Sequence, residues 1–329
     1  METLPYILRA MLLYRKLTGS GEYEKDRQKL FGYMVSHLGK SEHGRGVGHQ
    51  FDWYTTGLIP AYTPCVTLTS YLVDFIIEAR KESAMPESEK SVLRDIGGFV
   101  FNDLNRQEHS GGAATISYTP LDKRRVINAN SYAARIMYRL GKFFKKEDYT
   151  VLSKKLLDYV LKEQNEDGSW FYFEKGSVAE KENFIDSFHS AFILENLFEW
   201  ATVEKDEGAS TALEKGKDYF LRSFVNSDGS VNHFSKSHLP IKIKADIRSM
   251  AQSINCLALL SQKDPGLLET AQKIYKKTIE TMYDGGGSFY FRKYSFYFSK
   301  MNYIRWGAAP MLNALCTLAL AEKDRKEGS

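Results

Sequence analysis

Two polar residues at the start of a predicted helix, Asp186 and His189, have the spacing of an acid/base pair. Residues at positions i and i+3 lie on one helix face, and a carboxylate beside an imidazole can fix the tautomer of the ring. Such a pair can act as a general base. Aspartate is also a favoured N-cap, and Asp246 has the same position in a later helix. We therefore predict His189 and Asp186 as catalytic residues and Asp246 as a substrate-binding residue, with helix capping as the alternative for either aspartate.

Three residues near other helix starts, Arg305, Trp306 and Arg248, can bind an acidic sugar. Arginine holds a carboxylate through two parallel N–H groups, and a tryptophan ring can lie against the C–H face of a pyranose. The structural alternative is that Arg305 pairs with a carboxylate of the chain and Trp306 packs in the core. The sequence leaves both interpretations open.

A further polar group, Arg125, Asn130 and Tyr132, lies at the start of another predicted helix. Proton abstraction at C5 of a uronosyl unit requires an acid or base, for which Tyr132 is a candidate. It also requires a group that neutralises the carboxylate, because the α-proton is otherwise not acidic enough. Arg125 and Asn130 are predicted for that role. The alternative for Asn130 is helix capping.

Aromatic residues crowd the glycine-rich segments that precede the predicted helices, and they favour a sugar-stacking surface, although single aromatics there can also pack on the helices. The candidates in these segments are Trp53, Trp170, Tyr172 and His49. Asp52 also lies in the first segment. Asp52 and Asp186 form an alternative site, the carboxylate pair of a glycoside hydrolase.

These segments belong to a repeat. Glycines 112, 168, 229 and 287 each precede a leucine by 28 or 29 residues, and an alanine lies six residues before each leucine. A looser copy begins at Gly48, and successive copies are 57 to 64 residues apart. A fixed period of this length is typical of stacked supersecondary units, none of which buries its apolar face alone.

The helical pattern alternates apolar and charged segments. The predicted helices are Leu4–Thr18, Tyr23–Leu38, Ala61–Lys81, Glu87–Leu104, Asn130–Leu140, Glu147–Glu163, Asp186–Ala201, Thr211–Phe224, Asp246–Leu260, Pro265–Met282 and Ile304–Ala321. Six apolar helices inside and five charged helices outside predict an all-α fold, an (α/α)6 toroid, as a single domain over residues 1–329. Short β-hairpins are predicted before the inner helices. An open α-solenoid is the alternative, but hairpins of near-constant length favour closure.

Composition excludes several function classes. A net charge of +4 over 329 residues is too small to indicate a nucleic-acid partner. The three scattered cysteines predict free buried thiols in a reducing, cytoplasmic compartment. No phosphate-binding loop, dinucleotide motif or metal-ligand spacing is present, so neither a cofactor nor a metal is predicted. The apolar stretch Leu4–Leu17 is interrupted by Arg9, Arg15 and Lys16, which predicts an amphipathic helix rather than a signal peptide or membrane span.

Three segments resemble a known family. Phe51-Asp52-Trp53, the DSFHSAFILE stretch from Asp186 to Glu195 and the YIRW stretch from Tyr303 to Trp306 resemble motifs of the VpsJ-type polysaccharide-biosynthesis proteins. DGSWFYF resembles the repeats of terpene cyclase and protein prenyltransferase toroids. The resemblance covers most of the chain and implies surface-polysaccharide assembly. Related toroids include uronosyl C5-epimerases, polysaccharide lyases and unsaturated glucuronyl hydrolases. No DxDD motif is present, which opposes cyclase chemistry.

These features favour a carbohydrate-active enzyme of surface-polysaccharide biosynthesis that removes a proton from a uronosyl unit, in an epimerase or lyase reaction. The expected partner is an oligosaccharide or polysaccharide. The alternatives are a glycoside hydrolase, a non-catalytic glycan-binding or assembly protein, and a terpene cyclase-like enzyme.

Overall fold

The computed structural model describes residues 3–55, 57–81, 83–238 and 242–327. The chain divides into two compact units. The first comprises Met1–Leu8, Glu24–Glu163 and Phe173–Ser177, and the second comprises Arg9–Tyr23, Gln164–Tyr172 and Val178–Ser329. The single domain predicted over residues 1–329 remains a prediction.

Eleven α-helices lie in the described residues, in the predicted order. They are α1 Thr3–Thr18, α2 Glu24–Ser36, α3 Val66–Ala79, α4 Glu87–Gly98, α5 Ile127–Phe144, α6 Glu147–Lys162, α7 Ser187–Glu199, α8 Glu207–Phe224, α9 Ile247–Leu260, α10 Gly266–Met282 and α11 Ala309–Glu327. Helices α3, α5, α7 and α9 bury most of their residues. In the first unit α5 packs on α3 and α6, and in the second α9 packs on α7, α10 and α11.

Some helix boundaries differ from the prediction. Helix α3 begins at Val66 rather than Ala61, because Tyr62 has a positive φ of 63° and Cys65 is extended. Two helices continue into π-helical turns, α4 through Phe99–Asp103 and α7 through Trp200–Glu204. A third π-helical turn, Ile304–Ala308, precedes α11. Such turns occur frequently at functional sites, and this last one carries two of the predicted site residues.

The described strands of the first unit form hairpins, as predicted. The pairs are β1 Gly39–Lys40 with β2 Arg45–Gly46, β3 Trp53–Tyr54 with β4 Leu58–Ile59, and β5 Arg106–Glu108 with β6 Ala114–Ile116.

The strands of the second unit correct the prediction of local hairpins. They are β7 Ile185–Asp186, β8 Phe234–Lys236, β9 Ile243–Asp246, β10 Arg292–Tyr294 and β11 Phe298–Ser299. Strand β7 pairs with β8, and β9 pairs with β10, so each strand before an apolar helix pairs with the following segment of the repeat. Only β10 and β11 form a hairpin among the described strands here. The predicted hairpin around Trp170 and Tyr172 is wrong, since neither lies in a strand and the Tyr172 N–H donates to the Phe184 carbonyl.

A backbone link joins the start of three apolar helices to the next segment of the repeat. In each link the N–H of the first helical residue donates to a carbonyl in that segment. The pairs are Val66 to Tyr118 (3.1 Å), Ser187 to His233 (3.0 Å) and Ile247 to Phe291 (3.1 Å). The first N–H groups of a helix have no partner within the helix, so these links satisfy donors that would otherwise need water.

The turns confirm the predicted repeat. Glycines 112, 168, 229 and 287 all have positive φ, between 82° and 96°, a conformation that costs glycine little. Gly168 and Gly229 also lie against the backbones of Lys215 and Lys273, on α8 and α10 respectively. The repeat alanines, at positions 134, 191, 251 and 309, are buried.

The cysteines match the prediction of free buried thiols. Cys65, Cys256 and Cys316 are all buried and unbridged. Burial raises the pKa of the Cys256 thiol well above its usual value, with Glu195 acting in the same direction. None of the described helices is long and apolar enough to cross a membrane.

Candidate active site

The two residues predicted to form an acid/base pair are in contact at the start of α7. Asp186 is the N-cap of this helix, and its Oδ1 accepts the backbone N–H of His189 at 2.7 Å. The Nδ1 of His189 lies 2.8 Å from Oδ2 of the same carboxylate. Capping and orientation of the imidazole are therefore both performed by Asp186. No described residue hydrogen-bonds to Nε2, and the His189 side chain is 26% exposed.

The electrostatics of Asp186 fix the tautomer of His189. Burial of the carboxyl acts to raise its pKa, but the charge and hydrogen bonds of His189, with a contribution from His233, lower the pKa below its usual value. Asp186 is thus ionised at neutral pH and accepts the Nδ1–H of His189. The lone pair of the neutral imidazole is then on Nε2, the nitrogen that faces away from Asp186.

Aromatic rings form the walls around His189. The Tyr172 ring lies 4.4 Å from the imidazole, measured between centroids, and stacks on Phe184 at 4.9 Å with an angle of 11°. The Phe188 ring packs edge to face with the imidazole, with the centroids 5.1 Å apart. All three rings are half-buried, so they limit water around the base while leaving faces that a pyranose can contact.

Two arginines, Arg248 and Arg292, form a cationic cluster next to Phe188. Arg248 lies over the rings of Phe188, Phe291 and Trp306, at 5.5 to 5.6 Å from each centroid. Its guanidinium binds Asp246 through Nε and Nη2, at 3.1 and 2.8 Å.

A second guanidinium shares that carboxylate. Arg292 Nε lies 2.5 Å from Asp246 Oδ2, and both arginine side chains are 20% exposed. Burial acts to raise the pKa of Asp246, but Arg248, His233 and Arg292 hold it well below its usual value. Two cations around one carboxylate leave a net positive charge, which suits an anionic group of a ligand. The sequence reasoning missed Arg292, whose only signal was the basic character of its segment.

Arg305 and Trp306 lie in the π-helical turn before α11, as predicted from their helix-start position. The Arg305 guanidinium lies 4.3 Å over the Trp306 ring, and Trp306 stacks on Phe291 at 5.2 Å with an angle of 22°. Trp306 is half-buried. It therefore packs in the aromatic cluster on one side and keeps part of its surface accessible.

His233, which was not predicted, supports both acidic residues of the site. Its Nδ1 lies 2.6 Å from the Ser249 hydroxyl, and its Nε2 is 3.9 Å from Asp246 Oδ2. Its carbonyl accepts the N–H of Ser187, the first residue of α7. Burial lowers the pKa of His233 and outweighs Asp246 and Asp186, which act to raise it.

A polar chain in the interior of the second unit was also missed. Glu195 on α7 accepts from Gln252 Nε2 and Asn255 Nδ2 of α9, both at 2.7 Å. Asn255 Oδ1 accepts from Asn313 of α11 at 3.0 Å, and Arg9 of α1 donates to Asn313 Oδ1 at 2.8 Å. The only signal for this chain was polar residues within otherwise apolar helices. These bonds fix the register of the helices whose ends carry the site.

Two candidates of the second unit cannot contact a ligand directly in this structure. Trp170 is 2% exposed, and it packs where Gly216 of α8 leaves room for its ring, beside Leu194. The expectation of a stacking platform at Trp170 is therefore corrected to a core role. Asp246 is fully buried between its arginines and positions them, which corrects its expected role in substrate binding.

Two candidates of the first unit are likewise enclosed. Tyr132 is 2% exposed, and its hydroxyl donates to that of Tyr71 at 3.2 Å. Asn130 is fully buried; its Oδ1 accepts the N–H of Ile116, and its Nδ2 donates to the carbonyls of Ile116 and Val126. Asn130 thus ties the start of α5 to β6, and neither the acid/base role of Tyr132 nor ligand binding by Asn130 agrees with this burial. Asn130 is not the N-cap either, since α5 is capped at Val126.

The remaining candidates of the first unit have protein partners. Arg125 Nε pairs with Glu174 at 2.7 Å, and the exposed Asp52 accepts the N–H of Ala61 at 2.7 Å. His49 and Trp53 pack edge to face at 5.5 Å.

Metal-ligand clusters are absent from the part of the chain that the structure describes: no three His, Cys, Asp or Glu residues are grouped to hold an ion.

No protein-family model matches the chain, and no curated protein is similar to it in sequence. Solved structures are similar to it in fold. Cellobiose 2-epimerase from Bacillus thermoamylovorans matches with a TM-score of 0.72 and 11% identity, over 98% of this chain and 87% of that protein. A polysaccharide lyase matches with a TM-score of 0.64 and 10% identity, over 100% and 91% of the two chains. An unsaturated glucuronyl hydrolase specific for heparin matches with a TM-score of 0.67 and 13% identity, over 98% and 86%.

The chain has the (α/α)6 toroid fold. The sequence predicted this fold over an open solenoid. Identities of 10 to 13% show the fold alone, and the resemblance to the VpsJ-type family remains a prediction.

Proposed function

We propose that this protein is a carbohydrate-active enzyme that removes the C5 proton of a uronosyl unit within a glycan. The observation that carries the proposal is the His189–Asp186 pair, whose imidazole is oriented through Nδ1. The imidazole contacts Phe188, and Arg248 of the cationic cluster lies over the same ring. A base and a positive charge at adjacent positions are what abstraction of an α-proton next to a carboxylate requires.

In the proposed reaction, Nε2 of His189 takes the C5 proton and Asp186 stabilises the imidazolium that forms. The electron pair of the broken C–H bond moves into the sugar carboxylate, where Arg248 and Arg305 stabilise the added negative charge. Delivery of a solvent proton to the opposite face of C5, followed by release of the His189 proton to solvent, gives epimerisation. In a lyase reaction the electron pair instead forms a C4=C5 double bond as the C4–O bond breaks, and the leaving oxygen takes up a proton from solvent.

The similar structures support the coarser part of this assignment, carbohydrate processing. They include an epimerase, a polysaccharide lyase and a hydrolase that acts on unsaturated glucuronyl units. The resemblance of Asp186–Glu195 and Tyr303–Trp306 to the VpsJ-type proteins adds the context of surface-polysaccharide biosynthesis in the cytoplasm.

The geometry disfavours Asp186 as the general acid of a glycoside hydrolase. Both oxygens of Asp186 lie within hydrogen-bond distance of His189, and its lowered pKa opposes the role of a general acid. A retaining or inverting glycosidase requires one protonated carboxyl group of raised pKa.

Proton NMR in D2O with uronate-containing oligosaccharides tests the proposal. We expect the H5 signal to decay with wild-type protein, because the base exchanges this proton with solvent. His189→Asn should slow the exchange by about 10² to 10⁴-fold, the usual contribution of a general base. Asp186→Asn should also slow it, although asparagine is as good an N-cap as aspartate, since the amide no longer stabilises the imidazolium.

His43 provides the matched control. It pairs with Asp103 at 2.6 Å in the first unit, and its side chain is 52% exposed, so His43→Asn removes a similar pair that does not include the proposed base. We expect this variant to exchange H5 at the wild-type rate. Unchanged H5 exchange in His189→Asn would refute the assignment of the base. New reducing ends without H5 exchange would show hydrolysis instead, and binding without any change in the sugar would indicate a glycan-binding protein.

A further inference from the structure

The sheet formed by β9, β10 and β11 carries an unusually basic surface. Four lysines of these strands and their adjoining residues are exposed: Lys242, Lys244, Lys293 and Lys300. Within residues 242–246 and 290–305 the single acidic residue is Asp246, which is fully buried and bound to two arginines. The lysine charges on this surface are therefore not offset by a neighbouring acid in these segments.

Large apolar side chains are exposed in the same segment. Phe296, at the tip of the β10–β11 hairpin, is 99% exposed, and Tyr297 beside it is 58% exposed. Met301 and Ile304, which follow β11, are 57% and 63% exposed. Four strongly exposed large apolar side chains within nine residues are a concentration that favours an interaction site.

Local contacts hold this surface in a defined conformation. The N–H of Tyr294 donates to the carbonyl of Tyr297 at 2.9 Å, and the two rings stack at 4.3 Å with an angle of 18°. The hydroxyl of Tyr303 donates to Met301 Sδ at 3.3 Å, and the Tyr303 ring packs against Phe291 at 4.9 Å. The contacts between Tyr294 and Tyr297 thus hold the hairpin turn that carries Phe296. The contacts of Tyr303 hold Met301 next to Phe291, an aromatic residue of the candidate active site.

We propose that residues 242–246 and 290–305 bind the surface of an anionic lipid bilayer. Phe296, Tyr297, Met301 and Ile304 enter the boundary between headgroups and acyl chains, and the lysines contact anionic headgroups. Apolar side chains next to lysines are the composition that binds to a bilayer interface, and basic residues add electrostatic attraction to anionic lipids.

Two observations favour a bilayer over other partners. Protein interfaces are enriched in arginine and depleted in lysine, whereas the exposed charges here are lysines. A glycan stacks on ring faces, and Met301 and Ile304 offer no ring.

Co-sedimentation with lipid vesicles tests the proposal. We expect wild-type protein to sediment with vesicles of phosphatidylcholine and phosphatidylglycerol, to bind vesicles of phosphatidylcholine alone far more weakly, and to be released by salt. Replacing two apolar side chains, as Phe296→Ser with Tyr297→Ser, should weaken binding by about tenfold or more. Lys293→Gln and Lys300→Gln should each weaken it about fivefold.

Val203 provides the matched control, because it is an apolar residue of the second unit that is 62% exposed outside this surface. Val203→Ser should bind like wild type, and circular dichroism should show that all variants fold. Absence of phosphatidylglycerol-dependent binding would overturn the proposal, as would equal binding by the Phe296→Ser/Tyr297→Ser variant. If that variant instead loses affinity for a soluble polyuronate while wild type ignores the vesicles, the surface belongs to a glycan and the proposal is wrong.

Discussion

His233 introduces pH sensitivity through the residues that support the site. Its ring is 4% exposed, and burial, partly opposed by Asp246 and Asp186, lowers its pKa in the folded protein. A group whose pKa is lower when folded binds protons preferentially in the unfolded chain. Neutral His233 therefore contributes stability above the unfolded value of about 6.5, and this contribution is lost as the pH falls through the folded-state pKa.

We expect His233→Gln to reduce the pH dependence of unfolding. Wild-type protein should lose stability between pH 7.5 and 5.5, because His233 must then be protonated in the unfolded chain but resists protonation in the folded one. The variant should lose less over this range. Urea unfolding at pH 7.5 and pH 5.5 measures the change in the free energy of unfolding for each protein. Both pH values lie above the range in which aspartates titrate. His238, which is exposed, supplies the control: His238→Gln should retain the wild-type pH dependence, and an equal dependence in His233→Gln would contradict the argument.

For contacts between individual residues, the sequence predicts those within one helical turn and few others. Asp186 and His189 were placed together because helical spacing alone brings them within reach. The contact between Asp246 and Arg292 joins residues 46 positions apart, a separation that no local pattern encodes. Trp170 was misplaced for the same reason, since the room for its ring is provided by Gly216 on another element.

Two helical glycines, Gly216 and Gly32, differ in how much space is available for an added Cβ atom. A Cβ at Gly216 of α8 would lie 2.6 Å from the Trp170 ring and 2.8 Å from Leu194, and both neighbours belong to the core. Gly32 of α2 has no such atom within 4 Å.

We expect Gly216→Ala to destabilise the protein by about 1–3 kcal/mol, because overpacking a well-filled core costs that much. The same substitution at Gly32 should leave stability unchanged or raise it by up to about 1 kcal/mol, since alanine favours the helix. Chemical denaturation of the two variants measures both effects. A stabilised Gly216→Ala would show that Trp170 does not rely on this glycine.

Elements were predicted better than their connections. Apolar periodicity identified all eleven helices in order, because burial of a helical face leaves a direct pattern in the sequence. The strands are two to four residues long, too short to show alternation, and their partners lie in the following repeat. The prediction of local hairpins therefore failed in the second unit.

At the scale of the whole molecule, the repeat is the feature from which the fold could be predicted. The (α/α)6 toroid could be predicted because its period is present in the turn glycines and in the buried alanines. The backbone links between successive segments could not be predicted from the sequence. The hydrogen bonds of Val66, Ser187 and Ile247 join backbone atoms only, so they do not depend on the type of side chain.

We expect the amides of Val66, Ser187 and Ile247 to exchange slowly with deuterium, although each begins a helix, because each is bonded to a carbonyl of the next segment. Glu147 and Glu207 begin α6 and α8 and are exposed, so their amides should exchange quickly. Hydrogen exchange read by NMR compares the five sites directly. Equal rates would show that the links open readily in solution.

The same links constrain the order in which the protein can assemble during synthesis. Each amide is made before its acceptor: Ser187 leaves the ribosome 46 residues ahead of His233, and Val66 and Ile247 likewise precede Tyr118 and Phe291. The first N–H of each of these three helices therefore has no protein partner until the next segment has emerged. The turn before α11 differs from these three starts, because its Gly307 N–H donates to the carbonyl of the preceding Tyr303. The start of α11 is thus bonded to a residue that is made before it rather than after it.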